Sequence, residues 1–126
     1  MIPPPVPNHA VVLFGHGSRD PLWRQPIEAV AARMRQLAPD VLVRCAYLEL
    51  TEPDLPTAAA ELAASGIASL SVVPLFLGVG RHAREDLPKL IDEMRLCYPA
   101  IRISLKPAIG EDAQIVNLIA ELSLQR

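Results

Sequence analysis

The sequence predicts an α/β fold, a three-layer sandwich around a four-stranded parallel sheet in the flavodoxin-like order 2-1-3-4. Three observations predict it. Four short apolar runs alternate with stretches of helical periodicity, so the elements read βαβαβαβα. The first and third runs are almost unbroken in apolar residues, as strands covered on both faces are. The chain has 126 residues and is 51% hydrophobic, enough to bury one core, yet no run approaches the ~20 residues that span a bilayer.

Each element has its own warrant. Residues 1–8 open as MIPPPVPN, whose prolines favour an extended, poorly ordered tail. They lack the basic-then-apolar layout of a signal peptide. A single domain is expected over 9–126. AVVLF (10–14) is strand one. Ile27, Val30, Ala31, Met34 and Leu37 recur at helical spacing. VLVRCAYL (41–48) is strand two. The alanine-rich stretch Leu55 to Ser65 reads as a helix stopped by Gly66.

SLSVVPLFL (69–77) is strand three. Its Pro74 removes a ladder donor, which leaves room for a bulge, but the flanks Val72, Val73, Leu75, Phe76 and Leu77 are too apolar for a loop. Leu87, Leu90, Ile91 and Met94 form the next helical stripe, with Asp86 as cap and Pro88 in the first turn. IRISLKPA (101–108) alternates Ile101, Ile103 and Leu105, as an edge strand with one wetter face does. Ile115, Leu118, Ile119 and Leu122 mark a last helix.

Composition removes several functions. A net charge of −2 argues against a nucleic-acid grip, which needs a basic face. Two cysteines, Cys45 and Cys97, without CxxC spacing, read as reduced thiols in a cytoplasmic protein rather than a disulfide scaffold. No membrane association is expected. The glycines form neither GxGxxG nor a Walker loop.

Only three histidines are present. His9 precedes strand one and reads as a solvated residue at the opposite edge of the sheet. His16, in FGHGSR, follows strand one, and His82, in FLGVGRHARED, follows strand three. In open α/β sheets ligands bind outside the carboxyl ends of the strands, where the winding reverses. The order 2-1-3-4 puts that reversal between strands one and three, so His16 and His82 are expected to be neighbours. Gly15 and Gly17 flank the first, Gly78 and Gly80 precede the second, and they permit tight turns and close ligand approach.

Glu49, at the end of strand two, is a third candidate. Two imidazoles and a carboxylate suit a divalent transition metal and can also accept protons. Arg81, Arg84 and Lys89 surround His82 as a basic cluster able to grip substrate carboxylates. Trp23, Tyr47 and Tyr98 read as packing residues, as do Cys45 on its strand and Cys97 at a helix end.

FGHGSRD after strand one, YLELTEPDLPTA after strand two and VVPLFLGVGRHAREDLP after strand three together resemble the short CbiX-type class II chelatases, relatives of the sirohydrochlorin cobalto-, ferro- and nickelochelatases. The resemblance covers roughly residues 10 to 120. It implies a chelatase-like half as the fold. It implies insertion of a divalent metal into a sirohydrochlorin-like tetrapyrrole in cobalamin or sirohaem biosynthesis, cobalt first, with iron or nickel as alternatives. No tightly bound cofactor is implied, and the metal is a substrate. His16 and His82 match the histidines of the first and third motifs, and Glu49 matches the glutamate that joins them at the metal. These three are thereby assigned as catalytic and metal-binding, with Arg19, Arg81 and Arg84 on peripheral carboxylates. Longer members carry two such halves; the short forms pair as homodimers. The contrasting expectation is a carrier with the same cleft and no turnover.

Overall fold

The computed structural model describes residues 8–126; of the proline-rich stretch assigned to residues 1–8, all but Asn8 lies outside them. The elements are β1 (His9–Gly15), α1 (Gln25–Leu37), β2 (Val41–Tyr47), α2 (Leu55–Ala64), β3 (Ser69–Pro74), α3 (Arg81–Cys97), β4 (Arg102–Leu105) and α4 (Ala113–Leu124), with a short 3-10 turn at Ile109–Glu111. All strand pairs are parallel and the sheet runs β2-β1-β3-β4, the expected order. No helix among the described residues is long and apolar enough to cross a membrane.

Period-two alternation explains why β1 reads as one apolar run. Ala10, Val12 and Phe14 face α2 and α3, where they join Leu55, Leu62, Leu70 and Ile91 in the larger core. Leu13 faces the other way, toward Ile27 and Ala31 of α1, with Val43 and Tyr47 of β2. Both faces are dry, so no polar position interrupts the strand. Each fully buried side chain of this size contributes about 1.5–3 kcal/mol.

Both free sheet edges are blunted by arginine. The Arg35 guanidinium donates to the outward Val43 carbonyl at 2.8 Å, and that of Arg95 to the Ile103 carbonyl at 2.8 and 3.1 Å. Asp54 caps α2 by accepting from the Thr57 N–H at 2.9 Å.

Two expectations are corrected, the start of α3 and the length of β4. Pro74 causes no bulge: it ends β3 in register with Phe14. The Lys106 N–H donates to the Val72 carbonyl, and the Leu75 N–H to the Phe14 carbonyl. Even positions of β3 therefore bond toward β4 and odd ones toward β1. Pro74 lacks its N–H on the β4 side, beyond the last β4 residue, Leu105, so no ladder bond is lost.

Helix α3 starts at Arg81, capped by an extended Gly80, and not at Asp86. Pro88 is consequently inside it. Pro88 and Arg84 are both exposed, so water reaches the carbonyl that proline leaves without a donor. The earlier start places His82 in the first helical turn rather than in a loop. The outer strand β4 is also shorter than its apolar pattern, because Pro107 stops it.

Candidate active site at the carboxyl edge of the sheet

The ends of β1 and β2 are tied together by backbone. The Leu48 N–H donates to the Gly15 carbonyl at 2.9 Å and the Glu49 N–H to the His16 carbonyl at 3.1 Å. The Thr51 hydroxyl closes the arrangement: it donates to the Ser18 carbonyl at 2.7 Å and accepts from the Ser18 N–H at 3.0 Å. The chain turns sharply here, with the Thr51 N–H on the Glu49 carbonyl at 2.7 Å and Leu50 between them at φ 62°. A left-handed leucine is uncommon and marks stored strain.

This close approach requires glycine at position 17. Gly17 has φ +103°, and a Cβ there would sit 1.7 Å from the Glu49 carbonyl oxygen. Gly15 is less confined, since a Cβ there would stand 3.2–3.4 Å from side-chain atoms of Ile27, Trp23 and Tyr47. It is Gly17 that lets the two loops touch.

The result is a facing pair: His16 Nε2 lies 3.3 Å from Glu49 Oε1. Both side chains are more than half exposed, at 60% and 55%, so the pair is open to a ligand. Its own attraction is worth at most about 1 kcal/mol. The His16 ring meets Phe76 edge-on, centroids 6.4 Å apart, and Phe76 in turn meets Phe14 at 6.0 Å. Phe76 follows β3, so the ends of β1 and β3 do converge at the switch point.

His82 stands apart from this pair. It lines a mostly apolar cavity of about 380 Å³ with Phe14, Leu48, Leu87 and Leu90, where Asp86, Lys89 and Glu93 add charged groups. Leu48 also lines the broader groove that holds Glu49, along β2 and the start of α2. His82 therefore lies across Leu48 from the Glu49 groove. Among the described residues, no three His, Cys, Asp or Glu side chains are gathered closely enough to hold an ion. The expected two-histidine, one-glutamate set is present as a pair and a separate third member.

The arginines divide similarly. Arg19 is exposed in the loop after Ser18. Arg81 donates to Glu85 one turn on at 3.2 Å. Arg84 lines a small cavity beside the end of β4, not the one at His82. Lys89 is the cation that does share the His82 cavity. His9 is within β1, its Nδ1 hydrogen-bonded to Ser69 Oγ at 2.7 Å at the far edge of the sheet.

Burial pushes the Cys45 thiol up from its ordinary range, and its Sγ points at the Ile27 carbonyl. Cys97 is exposed on the last turn of α3. Tyr47 is 3% exposed and packs edge-on against Trp23, centroids 6.0 Å apart. Desolvation pushes its phenol up to about 12. Thr51, Phe76 and Leu48 also shape the site, and the sequence does not flag them. A threonine in a loop and apolar residues after a strand carry no signal there beyond packing.

The same arrangement of strands and loops recurs in known proteins. The CbiX family model matches residues 10–125. The chain is 40% identical over 82 residues to the sirohydrochlorin cobaltochelatase of Methanopyrus kandleri, a match spanning 65% of this chain and 57% of that relative. A solved CbiX protein from Marinobacter aquaeolei superposes with TM-score 0.79 at 31% identity, covering 91% of this chain and 93% of that one. The sirohydrochlorin chelatase SirB of Bacillus subtilis subspecies spizizenii, solved in complex with cobalt, gives TM-score 0.76 at 31% identity. That match covers 90% of this chain but only 49% of SirB.

Proposed function

The chain belongs to the CbiX family, and on that premise we propose that it is a sirohydrochlorin chelatase, inserting a divalent metal into a metal-free tetrapyrrole. Cobalt is the first choice of metal, as in the M. kandleri relative's name and the SirB complex. Ferrous iron and nickel accept the same ligands, and affinity alone does not separate them in a cell. The reaction serves cobalamin or sirohaem synthesis in the cytoplasm, by a working unit of two identical chains.

One observation carries the reading: a histidine and a glutamate 3.3 Å apart, open to solvent at the switch point and held there by backbone. Insertion must strip water from the cation and remove two pyrrole N–H protons, so one metal dication enters as two protons leave. Imidazole can ligate a metal or take a proton, but not with the same nitrogen. His16 and Glu49 receive the cation, the carboxylate offsetting its charge. His82, in its own cavity across Leu48, is reached by a macrocycle lying over that residue and draws off protons. The apolar walls of its cavity suit the flat ring. Arg19 and Arg81, with Lys89 of the His82 cavity, hold peripheral carboxylates at the rim.

The test is anaerobic absorbance of sirohydrochlorin with Co²⁺ and catalytic amounts of protein. A rate well above the spontaneous one, continuing past one equivalent and lost in His16→Ala, is expected. Wild-type turnover by His82→Ala would remove His82 from the mechanism. Binding that stops at one equivalent would make the protein a carrier.

A further inference from the structure

The loops that carry His16 and Glu49 are fixed by hydrogen bonds from Leu48, Glu49 and Thr51, and none of these reaches the His16 ring. That side chain is 60% exposed, and an imidazole on so open a loop can turn about two side-chain torsions. Its attraction to Glu49 is weak in water and is given up when a cation takes either group. A ligating imidazole needs an orienting partner besides its metal. The structure supplies one in Phe76, whose ring meets that of His16 with centroids 6.4 Å apart and planes at 71°. Both values lie in the range of edge-to-face aromatic pairs.

Phe76 is itself held on several sides. Its ring meets that of Phe14 at 6.0 Å and 73°, and Phe14 is 1% exposed in the larger core. The preceding Leu75 N–H donates to the Phe14 carbonyl at 2.8 Å, and the Gly110 N–H donates to the Phe76 carbonyl at 2.9 Å. The second bond requires glycine, because a Cβ at position 110 would overlap the Leu77 carbonyl oxygen and Cα. The 3-10 turn at Ile109–Glu111 therefore clamps the chain at Phe76. A continuous line of packing runs from the core, through Phe14 and Phe76, to the His16 ring.

We propose that Phe76 is a positioning residue for metal insertion: it holds the His16 ring so that Nε2 stays aimed at the cation when Glu49 is exchanged for metal. The proposal rests on the reading of His16 as a metal ligand. Phe76 acts through His16 and needs no contact with metal or macrocycle. Leucine at 76 keeps the apolar bulk but loses the aromatic face and edge. An aromatic pair of this kind biases an equilibrium by roughly 2- to 10-fold, and that factor is the expected size of the effect.

The first arm of the experiment needs no substrate. Carbon–proton spectra of the metal-free chain follow its three histidine rings, and His16→Gln assigns the His16 signals. Phe76→Leu should remove the ring-current shift from these signals and leave those of His9 and His82 in place; Phe76→Tyr, which keeps the ring, should retain it. Co²⁺ titration followed by absorbance should show affinity weakened about 2- to 10-fold in Phe76→Leu and restored in Phe76→Tyr. In a His16→Gln background Phe76→Leu should have no further effect, which separates positioning through His16 from general loosening. With sirohydrochlorin, kcat should fall by the same factor at unchanged KM for the macrocycle. Phe76→Met, whose flexible side chain adapts to the same space, serves if circular dichroism shows Phe76→Leu unfolded. His16 signals that stay in place without the Phe76 ring would overturn the proposal. So would a loss of Co²⁺ affinity equally large with and without His16, or a wild type with no affinity for Co²⁺. A chain that meets these expectations yet never turns over sirohydrochlorin would refute the chelatase reading and leave this one standing.

Discussion

Replacing Gly17 by alanine tests whether loop contact sets the site. The new Cβ would stand 1.7 Å from the Glu49 carbonyl oxygen and 2.8 Å from its carbon. Carbon and oxygen pack no closer than about 3.3 Å, so the loops must part by roughly 1.5 Å. Alanine at φ +103° adds about 1–2 kcal/mol of backbone cost. Losing the Glu49-to-His16 backbone bond adds about 1 kcal/mol. The melting temperature should fall by about 5–15 °C, leaving the protein folded at 25 °C. The site, however, is displaced by more than 1 Å. A misplacement of that size costs roughly 100-fold in rate, about 2.7 kcal/mol of transition-state stabilisation. Initial rates of Co²⁺ insertion into sirohydrochlorin, compared at 25 °C with circular dichroism as the folding control, read it directly. Turnover within twofold of wild type would show that the His16–Glu49 spacing does not govern catalysis.

Thr51→Val removes the hydroxyl that both donates to and accepts from Ser18. It should lower kcat about tenfold with little change in KM, and Thr51→Ser should restore it. Glu49→Gln should leave stability within about 1 kcal/mol, because an exposed pair contributes no more, yet slow insertion at subsaturating Co²⁺; an unchanged metal dependence would take Glu49 out of the site. Tyr47 gives an alkaline signature. Its folded-state value is about 12 against an ordinary 10.0, so between those two the unfolded chain has lost a proton that the folded chain keeps. Stability should therefore decline as pH rises from about 10 toward about 12. Urea melts of Tyr47→Phe over that range should show a shallower decline.

Much of this architecture is legible in the sequence because β1 is covered on both faces and β3 on one face fully and on the other in part. Unbroken apolar runs between helical stripes suit a buried parallel sheet and little else, and the strand order follows from it. The departures arise where a rule keyed to one residue type meets a different context. Proline is favoured in a first helical turn, but Pro88 is tolerated at the eighth position of α3 because its flank is exposed. Proline in a strand suggests a bulge, yet the donor that Pro74 lacks points past the end of β4. The site is half legible. Topology brings His16, Glu49 and Phe76 together, as residues at neighbouring strand ends must be. It places His82 on the same edge, in the first turn of α3, but in a separate cavity that shares only Leu48 with the Glu49 groove. Thr51 has no sequence signature, because a hydroxyl that bridges two loops shows no periodicity and no spacing.

The location of the strain agrees with a working site. Leu50 at φ 62° and Gly17 at φ +103° face each other across the same contact, and a left-handed leucine costs about 1–2 kcal/mol. The His16–Glu49 attraction is too weak, in water, to offset that cost, and Gly17 adds none because glycine adopts positive φ freely. What holds the geometry is a set of four hydrogen bonds between the loops, two from backbone N–H groups at 48 and 49 and two through Thr51. None of them involves the His16 ring or the Glu49 carboxylate. A cation can therefore draw both side chains away from each other without loosening the loops that present them. A pair that supported the fold would lose that support on binding metal; this one is supported by the fold, and is free to exchange its partner.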